Sequence, residues 1–214
     1  MKLVMLFPGQ GSQAVGMGQA LAEAFPTAMQ TFEEAELLTG MPLRQLCWEG
    51  PEEALRSTDN AQVALFVTSM AAYRVYRELG GPEATWMAGH SLGEYSALAA
   101  SGALGFADAL KIVRLRGQLM ARAEKGTMAA VLGLEASKLE VICQESPETV
   151  VIANYNSPDQ LVISGTPAGV AHASEKAAEA GAKRVVPLSV AGAFHSPLME
   201  VASADLTTAL NQAP

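Results

Sequence analysis

The sequence predicts an α/β protein in which a small domain is inserted into a larger one. Short apolar runs typical of buried strands alternate with longer segments rich in Ala, Leu, Glu and Gln that favour helices. Between residues 126 and 190 the predicted elements follow the order β-α-β-β-α-β, which is the order of a ferredoxin-like unit. Residues 126–190 are therefore assigned to the small domain, and residues 1–125 and 191–214 to the large one.

In the large domain, the first predicted strand is the apolar run at residues 3–7. Helices are predicted over residues 19–38 and 62–79, the second preceded by Thr58 and Asp59 as candidate caps. A second strand at residues 85–88 leads through a glycine-containing turn into a helix that ends at Gly102. Two further helices are predicted over residues 108–123 and 197–210. Because two strands alone make a marginal sheet, the chain is expected to be a fragment of a longer protein.

In the small domain, strands and helices are separated by strong turn signals. Residues 156–159 (NSPD) form a predicted turn, and Thr166 followed by Pro167 marks the start of a helix. The predicted strands are residues 128–134, 150–155, 160–164 and 184–190. The predicted helices are residues 135–145 and 166–180.

Composition excludes several classes of protein. Half of the 214 residues are apolar and 17% are charged, which is typical of a compact globule rather than a disordered chain. The net charge of −8 argues against general nucleic-acid binding, which needs a basic surface. Cys47 and Cys143 lack the spacing of a metal or redox motif. The apolar run at residues 3–7 is too short for a signal peptide, and no segment approaches the roughly 20 apolar residues of a membrane span. A cytoplasmic location is expected.

A glycine-rich turn follows the first strand. Gly9, Gly11 and Ala14 fit the dinucleotide fingerprint G-x-G-x-x-G/A only loosely, because no strand ending in an acidic residue follows at the required distance. The alternative is that this turn brings backbone N–H groups close to a ligand oxygen.

Residues 89–93 (GHSLG) match the Gly-x-Ser-x-Gly nucleophile elbow, which needs a strand before it and a helix after it. Glycines on both sides of Ser91 allow the sharp turn, and the N–H groups of the following helix favour developing negative charge. The alternative is a serine that merely caps a helix beside two loop glycines.

A serine nucleophile needs a base, and His195 is the predicted one. His90 is adjacent to Ser91 and is expected to pack in the core, whereas His172 shares a helix face with charged residues and is expected on the surface. His195 lies in the loop that returns the chain to the large domain, and ligand sites concentrate between domains. A histidine hydrogen-bonded within that loop is the alternative.

Arg116 is predicted to bind a carboxylate. At about 100° per residue it lies at the centre of the apolar stripe of the helix over residues 108–123. Burying a guanidinium without a partner is costly, and arginine does not lose its proton. The carboxylate belongs either to an Asp or Glu of the protein or to a substrate.

Five motifs in this order resemble those of the malonyl-CoA:acyl-carrier-protein transacylases of fatty acid synthesis and the related acyltransferase domains of polyketide synthases. They are residues 7–13 (FPGQGSQ), 89–96 (GHSLGEYS), 116–117 (RG), 154–158 (NYNSP) and 194–197 (FHSP). The resemblance implies an α/β-hydrolase-like large subdomain carrying a ferredoxin-like small one. It also implies that malonyl passes from malonyl-CoA to the phosphopantetheine thiol of acyl carrier protein through a malonyl-serine, with no metal or redox cofactor.

By the same resemblance, Ser91 is the nucleophile and His195 its base. The backbone N–H groups of Gln10 and Leu92 would form the oxyanion hole, and Arg116 would bind the free carboxylate of malonyl.

Further residues take weaker roles from the resemblance. Three residues resemble those that line the substrate cleft in the family, namely Gln62, Asn154 and Asn156. Phe194 before the base and Leu92 after the nucleophile are typical of malonyl rather than methylmalonyl enzymes. Family members continue beyond the position of Pro214, and the glutamine whose backbone carbonyl orients the base lies in that part.

Three other functions stay open, and the first is an acyltransferase domain for polyketide synthesis. A serine thioesterase or hydrolase would share the elbow and the base but gives no reason to bury Arg116 near them. A non-catalytic docking module for carrier protein would need only a surface. Because the family's carrier proteins are acidic, docking is expected to use local positive charge. The candidates are Lys111, Arg114, Arg122 and Lys125 on one helix face, or Lys183 with Arg184.

Overall fold

The computed structural model describes residues 2–123, 126–190 and 192–213. The chain forms two compact units, Met1–Gln118 with Leu206–Pro214, and Leu119–Asp205. Both units contain helices and strands, as the predicted α/β fold requires. The predicted domain boundaries at residues 126 and 190 remain a prediction.

The first unit contains a two-stranded parallel sheet. Strands β1 (Val4–Phe7) and β2 (Trp86–Gly89) pair from Val4 opposite Trp86 to Phe7 opposite Gly89. The helices that lie in it wholly or in part are α1 (Gln19–Ala24), α2 (Pro26–Thr39), α3 (Leu43–Trp48), α4 (Glu52–Arg56), α5 (Thr58–Glu78), α6 (Gly93–Ser101), α7 (Phe106–Arg122) and α10 (Glu200–Gln212).

Helix α5 lies in the core of the first unit and packs against α2 and α6. Its side chains Val63, Phe66 and Val67 are fully buried in one apolar cluster that also includes Phe32 and Leu110. Transfer of these side chains out of water stabilises the unit.

The helices of the first unit differ from the prediction in three places. The helix predicted over residues 19–38 is two helices, because Phe25 is extended before Pro26 (φ −131°, ψ 118°), as the residue before a proline prefers to be. Helices α3 and α4 were not predicted, since five or six residues are too few to show a helical period. Helix α5 begins at Thr58, and Ser57 takes the N-cap position instead.

The second unit is a four-stranded antiparallel sheet in the order β4-β5-β3-β6. Its elements are β3 (Thr127–Leu132), α8 (Ala136–Gln144), β4 (Val150–Ser157), β5 (Gln160–Gly165), α9 (Pro167–Glu179) and β6 (Arg184–Pro187), followed by a 3₁₀ turn at Pro197–Met199. This chain order and strand order confirm the predicted ferredoxin-like topology. Strand β6 ends three residues before the predicted position 190.

The two faces of this sheet carry different side chains. One face packs on α8 and α9 through a cluster that includes Val131, Leu139 and Ala173. The other carries a smaller cluster in which Phe194 packs with Val162. The alternation of side chains along each strand separates the two clusters.

The structure also bears on two expectations from the composition, the membrane spans and the cysteines. Among the residues that the structure describes, no helix is both long and apolar enough to cross a membrane. Cys47 and Cys143 are both free thiols.

Candidate active site

Ser91 lies on the turn between β2 and α6 with a left-handed backbone conformation, φ 51°. This conformation is uncommon for a residue with a side chain and is typical of a constrained functional turn. A Cβ at Gly89 would lie 1.8 Å from the carbonyl carbon of Gly93, and a Cβ at Gly93 would lie 2.2 Å from the carbonyl oxygen of Phe7. Only glycine fits at either position, so the glycines on both sides of Ser91 make the sharp turn possible.

The loop after β1 packs against this elbow. A Cβ at Gly9 would lie 2.5 Å from the carbonyl oxygen of His90, so the two backbones are in close contact. The next residue, Gln10, donates a side-chain hydrogen bond to Thr58 Oγ1 at 3.4 Å. Within the described part of the chain, neither the Gln10 nor the Leu92 backbone N–H donates a hydrogen bond. The two loops follow neighbouring parallel strands at their carboxyl ends, where ligands bind in α/β sheets.

Arg116 reaches the elbow from α7. Its guanidinium donates from Nη1 to Gln62 Oε1 at 2.6 Å and from Nη2 to Ser91 Oγ at 2.9 Å. The guanidinium carbon also lies 5.7 Å from the ring centroid of Tyr95. Arg116 is 8% exposed and Gln62 is 0% exposed. The structure therefore brings three of the predicted site residues into direct contact.

The charge of Arg116 has no acidic partner among residues 2–123, 126–190 and 192–213, where no carboxylate oxygen lies within 4.0 Å of it. Burial lowers the pKa of Arg116, and the nearby Tyr95 and Glu94 oppose this effect. Burial likewise raises the pKa of the Tyr95 hydroxyl, so the tyrosine is neutral near pH 7. The hydrogen-bond partners of Arg116 are neutral, and an incoming carboxylate would compensate a desolvated positive charge.

His195 belongs to the second unit. It is exposed and has a left-handed conformation, φ 58°, directly after the buried Phe194. The loop around it is held by Ser196, whose Oγ donates to the Ala193 carbonyl at 2.7 Å and accepts from the Leu198 N–H at 3.3 Å. These contacts fix the backbone on both sides of the imidazole.

Asn154 and Asn156 lie on β4 of the second unit. An irregularity between Ile152 and Asn154 shifts the register, so that Asn154 pairs with Val162 of β5. Val162 and Phe194 share one apolar cluster, so Asn154 lies on the same sheet face as Phe194. Asn154 is half-buried, and Asn156 is exposed.

The predicted site residues thus fall into two groups. The first unit holds Ser91, Leu92, Gln10, Gln62 and Arg116, and the second holds His195, Phe194, Asn154 and Asn156. The partnership of Ser91 with His195 remains a prediction.

Gly117, which was not among the predicted site residues, also shapes the site. A Cβ at Gly117 would lie 2.9 Å from the Cα of Asp59, so glycine allows α7 to approach the first turn of α5. That approach brings Arg116 beside Gln62. The signal was present, because a glycine inside a strongly periodic helix is unfavourable unless packing requires it.

Two of the candidate docking residues on α7, Lys111 and Arg114, have partners within the chain. Lys111 pairs with Asp108 at 3.2 Å, and Arg114 donates to the Thr39 carbonyl at 2.5 Å. Lys125 lies outside the described residues. Among those that are described, no group of three or more His, Cys, Asp or Glu side chains could hold a metal ion.

Comparison with known proteins identifies the family. The sequence model of the acyl transferase domain matches residues 4–214. The chain belongs to the acyl transferase domain family. The predicted resemblance to malonyl-CoA:acyl-carrier-protein transacylases is therefore confirmed at the level of the family.

Other members of the acyl transferase family are similar over nearly the whole chain. A malonyl CoA-acyl carrier protein transacylase of Bacillus subtilis is 48% identical over 217 residues, which covers 98% of this chain and 68% of the relative. A crystal structure of an acyl carrier protein S-malonyltransferase from Vibrio cholerae matches with a TM-score of 0.95 at 43% identity, covering 100% of this chain and 71% of that one. A malonyl-transacylase in complex with its type II PKS acyl-carrier protein matches with a TM-score of 0.96 at 42% identity, with the same coverage.

Proposed function

We propose that the protein is an [acyl-carrier-protein] S-malonyltransferase of fatty acid biosynthesis, which moves malonyl from malonyl-CoA to the phosphopantetheine thiol of acyl carrier protein. One observation carries this proposal. The buried guanidinium of Arg116 contacts the elbow serine and has no carboxylate partner among the described residues. A substrate carboxylate would compensate that charge, and the named relatives at 42–48% identity act on malonyl-CoA and acyl carrier protein. We expect the enzyme to act in the cytoplasm.

The distance between Arg116 and Ser91 favours a three-carbon acyl group. In a malonyl thioester the carboxylate carbon is two bonds from the carbonyl carbon that is attacked, which is roughly 2.5 Å. Nη2 lies 2.9 Å from the attacking Oγ, so one carboxylate oxygen can meet Nη2 while the thioester carbonyl meets Oγ. A longer diacid would have to fold back or displace the guanidinium. An acetyl group has no carboxylate oxygen that could accept a hydrogen bond from the guanidinium. We further propose that Phe194 and Leu92 favour malonyl over methylmalonyl.

The first proposed step acylates the enzyme. His195 accepts the proton of Ser91, and Oγ attacks the thioester carbonyl of malonyl-CoA. The backbone N–H groups of Gln10 and Leu92 donate to the oxyanion of the tetrahedral intermediate. The intermediate collapses with loss of CoA thiolate, which takes the proton from His195 and leaves malonyl on Ser91.

The second proposed step transfers the acyl group. The phosphopantetheine thiol of acyl carrier protein gives its proton to His195, and the thiolate attacks the malonyl-serine ester. The same two N–H groups stabilise the second tetrahedral intermediate. Ser91 leaves with the proton of His195, so the enzyme is restored. No oxidation state changes, and malonyl-CoA and acyl carrier protein enter as substrates.

The test compares transfer with hydrolysis. The protein is incubated with malonyl-CoA with and without acyl carrier protein that bears phosphopantetheine, and malonyl-carrier protein and free malonate are both measured. The proposal predicts rapid formation of malonyl-carrier protein and slow release of malonate. Release of malonate that is as fast as transfer would instead support a serine thioesterase. No consumption of malonyl-CoA in either mixture would contradict both functions.

A further inference from the structure

We infer that Gln62 is a specificity-determining positioning residue, which holds Arg116 in the orientation that receives the substrate carboxylate. This role differs from that of a residue that touches the substrate. The inference rests on the proposed malonyl transfer and adds to it a residue that acts through Arg116.

Burial separates Gln62 from the acyl group. Gln62 is 0% exposed, whereas Ser91, which must meet the substrate, is half-buried. The Gln62 Oε1 accepts a 2.6 Å hydrogen bond from Nη1 of Arg116. A hydrogen bond of this length to a charged donor is among the stronger side-chain contacts in proteins. Gln62 therefore contacts Arg116 at Nη1, whereas the elbow serine contacts it at Nη2.

Because the guanidinium is planar, its contact with Gln62 also orients its other nitrogen atoms. A hydrogen bond from Nη1 to Gln62 restricts the plane of the guanidinium, and with it the direction of Nη2. Nη2 then points to Ser91 Oγ at 2.9 Å. The carboxylate of a three-carbon acyl group that is bound to Ser91 would meet Nη2. Without Gln62, the flexible arginine side chain would have to be ordered by each substrate, at a loss of binding free energy.

The helices that carry the two residues are held close together. Gln62 is on α5, and Arg116 is on α7 beside Gly117. A side chain at Gly117 would collide with Asp59, only three residues before Gln62. The first residue of α5, Thr58, also accepts the side-chain hydrogen bond of Gln10. One helix therefore supports both the guanidinium and the loop of the proposed oxyanion hole, which is the rigid support that a precise site requires.

The test is a double-mutant cycle between Gln62 and Arg116, read with malonyl-CoA and acetyl-CoA. Gln62→Met keeps the length of the side chain and removes the acceptor oxygen. It should lower kcat/KM for malonyl roughly 10- to 100-fold, the loss of one hydrogen bond to a charged group, and change acetyl transfer little. In an Arg116→Ala background, Gln62→Met should cause no further loss of malonyl transfer. Gln45→Met, an exposed glutamine on α3, is the matched control and should leave both reactions unchanged.

Two results would overturn the inference. Equal loss of malonyl and acetyl transfer would mean that Gln62 supports the fold or the serine generally. An undiminished effect of Gln62→Met in the Arg116→Ala background would mean that Gln62 acts on the substrate directly. The melting temperature of each variant is measured beside its activity. If Gln62→Met does not fold, Gln62→Leu is used in its place. If the unsubstituted protein transfers no malonyl, the proposed function fails rather than the role of Gln62.

Discussion

At the scale of single residues, the site combines one ionised side chain with neutral partners. Arg116 donates to Gln62 and Ser91, and neither acceptor carries a charge. The sequence predicted that the guanidinium needed a carboxylate but left open whose it was. A structural salt bridge would have placed an Asp or Glu oxygen near Arg116, and the described residues place none within 4.0 Å. The arrangement favours the substrate as the source of that carboxylate.

Arg116→Ala should therefore affect transfer of malonyl and transfer of acetyl differently. Malonyl transfer should fall by a hundredfold or more, because loss of one partner of a desolvated ion pair costs about 3–5 kcal/mol. Acetyl transfer should fall little or even rise, since acetyl leaves the native guanidinium uncompensated. Transfer of both groups and the melting temperature are measured together. Arg56→Ala, which removes an exposed arginine on α4, is the control and should change neither reaction.

Equal loss of malonyl and acetyl transfer by Arg116→Ala, together with a lower melting temperature, would contradict this interpretation. Arg116 would then have a structural role.

At the scale of elements, close backbone contacts explain what the sequence could and could not predict. The elbow was predictable because its strand, glycines, serine and helix all lie within residues 86–101 and each has a local preference. Pro26 signals the break at Phe25, but the helix-favouring composition continues on both sides and obscures it. The glycine inside a periodic helix signals a close contact at Gly117, but it does not identify Asp59, far away in the chain, as the partner. Sequence patterns report local preference and burial, whereas helix spacing is decided by tertiary packing.

Gly117→Ala should push α7 away from α5. In a helix interior, replacing glycine by alanine usually stabilises the helix by about 1 kcal/mol. A loss of function would therefore come from the close contact between the helices and not from a weaker helix. The added Cβ would lie 2.9 Å from the Cα of Asp59, which is too close for backbone atoms. Malonyl transfer should fall more than acetyl transfer, because Arg116 would be displaced from Gln62. Kinetics with both acyl-CoA substrates check this prediction.

Gly105→Ala is the control for this experiment. A Cβ at Gly105 would meet only Asp108 Oδ2, at an ordinary distance of 3.6 Å, and its backbone is not in the left-handed region. It should leave both reactions unchanged. If Gly117→Ala also leaves them unchanged, the spacing of the two helices does not position Arg116.

At the scale of the whole molecule, the proposed mechanism needs groups from both compact units. Ser91, Arg116 and the proposed oxyanion donors belong to the first unit, and His195 belongs to the second. The sequence analysis chose His195 from three histidines by its place in the returning loop. The structure gives that loop a constrained backbone and an exposed imidazole, while His172 lies on α9. The choice of base remains a proposal that mutation can decide.

His195→Ala should slow acylation of the enzyme by malonyl-CoA roughly 10²- to 10⁴-fold, because a serine without a general base is a weak nucleophile. His172→Ala is the matched control and should acylate at the native rate. Rapid-quench measurement of acyl-enzyme formation reports this step without the carrier protein. A slow His172→Ala protein beside a normal His195→Ala protein would show that the base was wrongly assigned.

Ser91 is the residue proposed to carry malonyl between the two substrates. Mass spectrometry of the intact protein after mixing with malonyl-CoA, followed by mapping of the modified peptide, identifies the acylated residue. We expect one malonyl group per chain, attached to Ser91, released by acyl carrier protein that bears phosphopantetheine, and absent from a folded Ser91→Ala protein. A malonyl group on any other residue, or an equal amount of adduct on Ser91→Ala, would show that Ser91 is not the nucleophile.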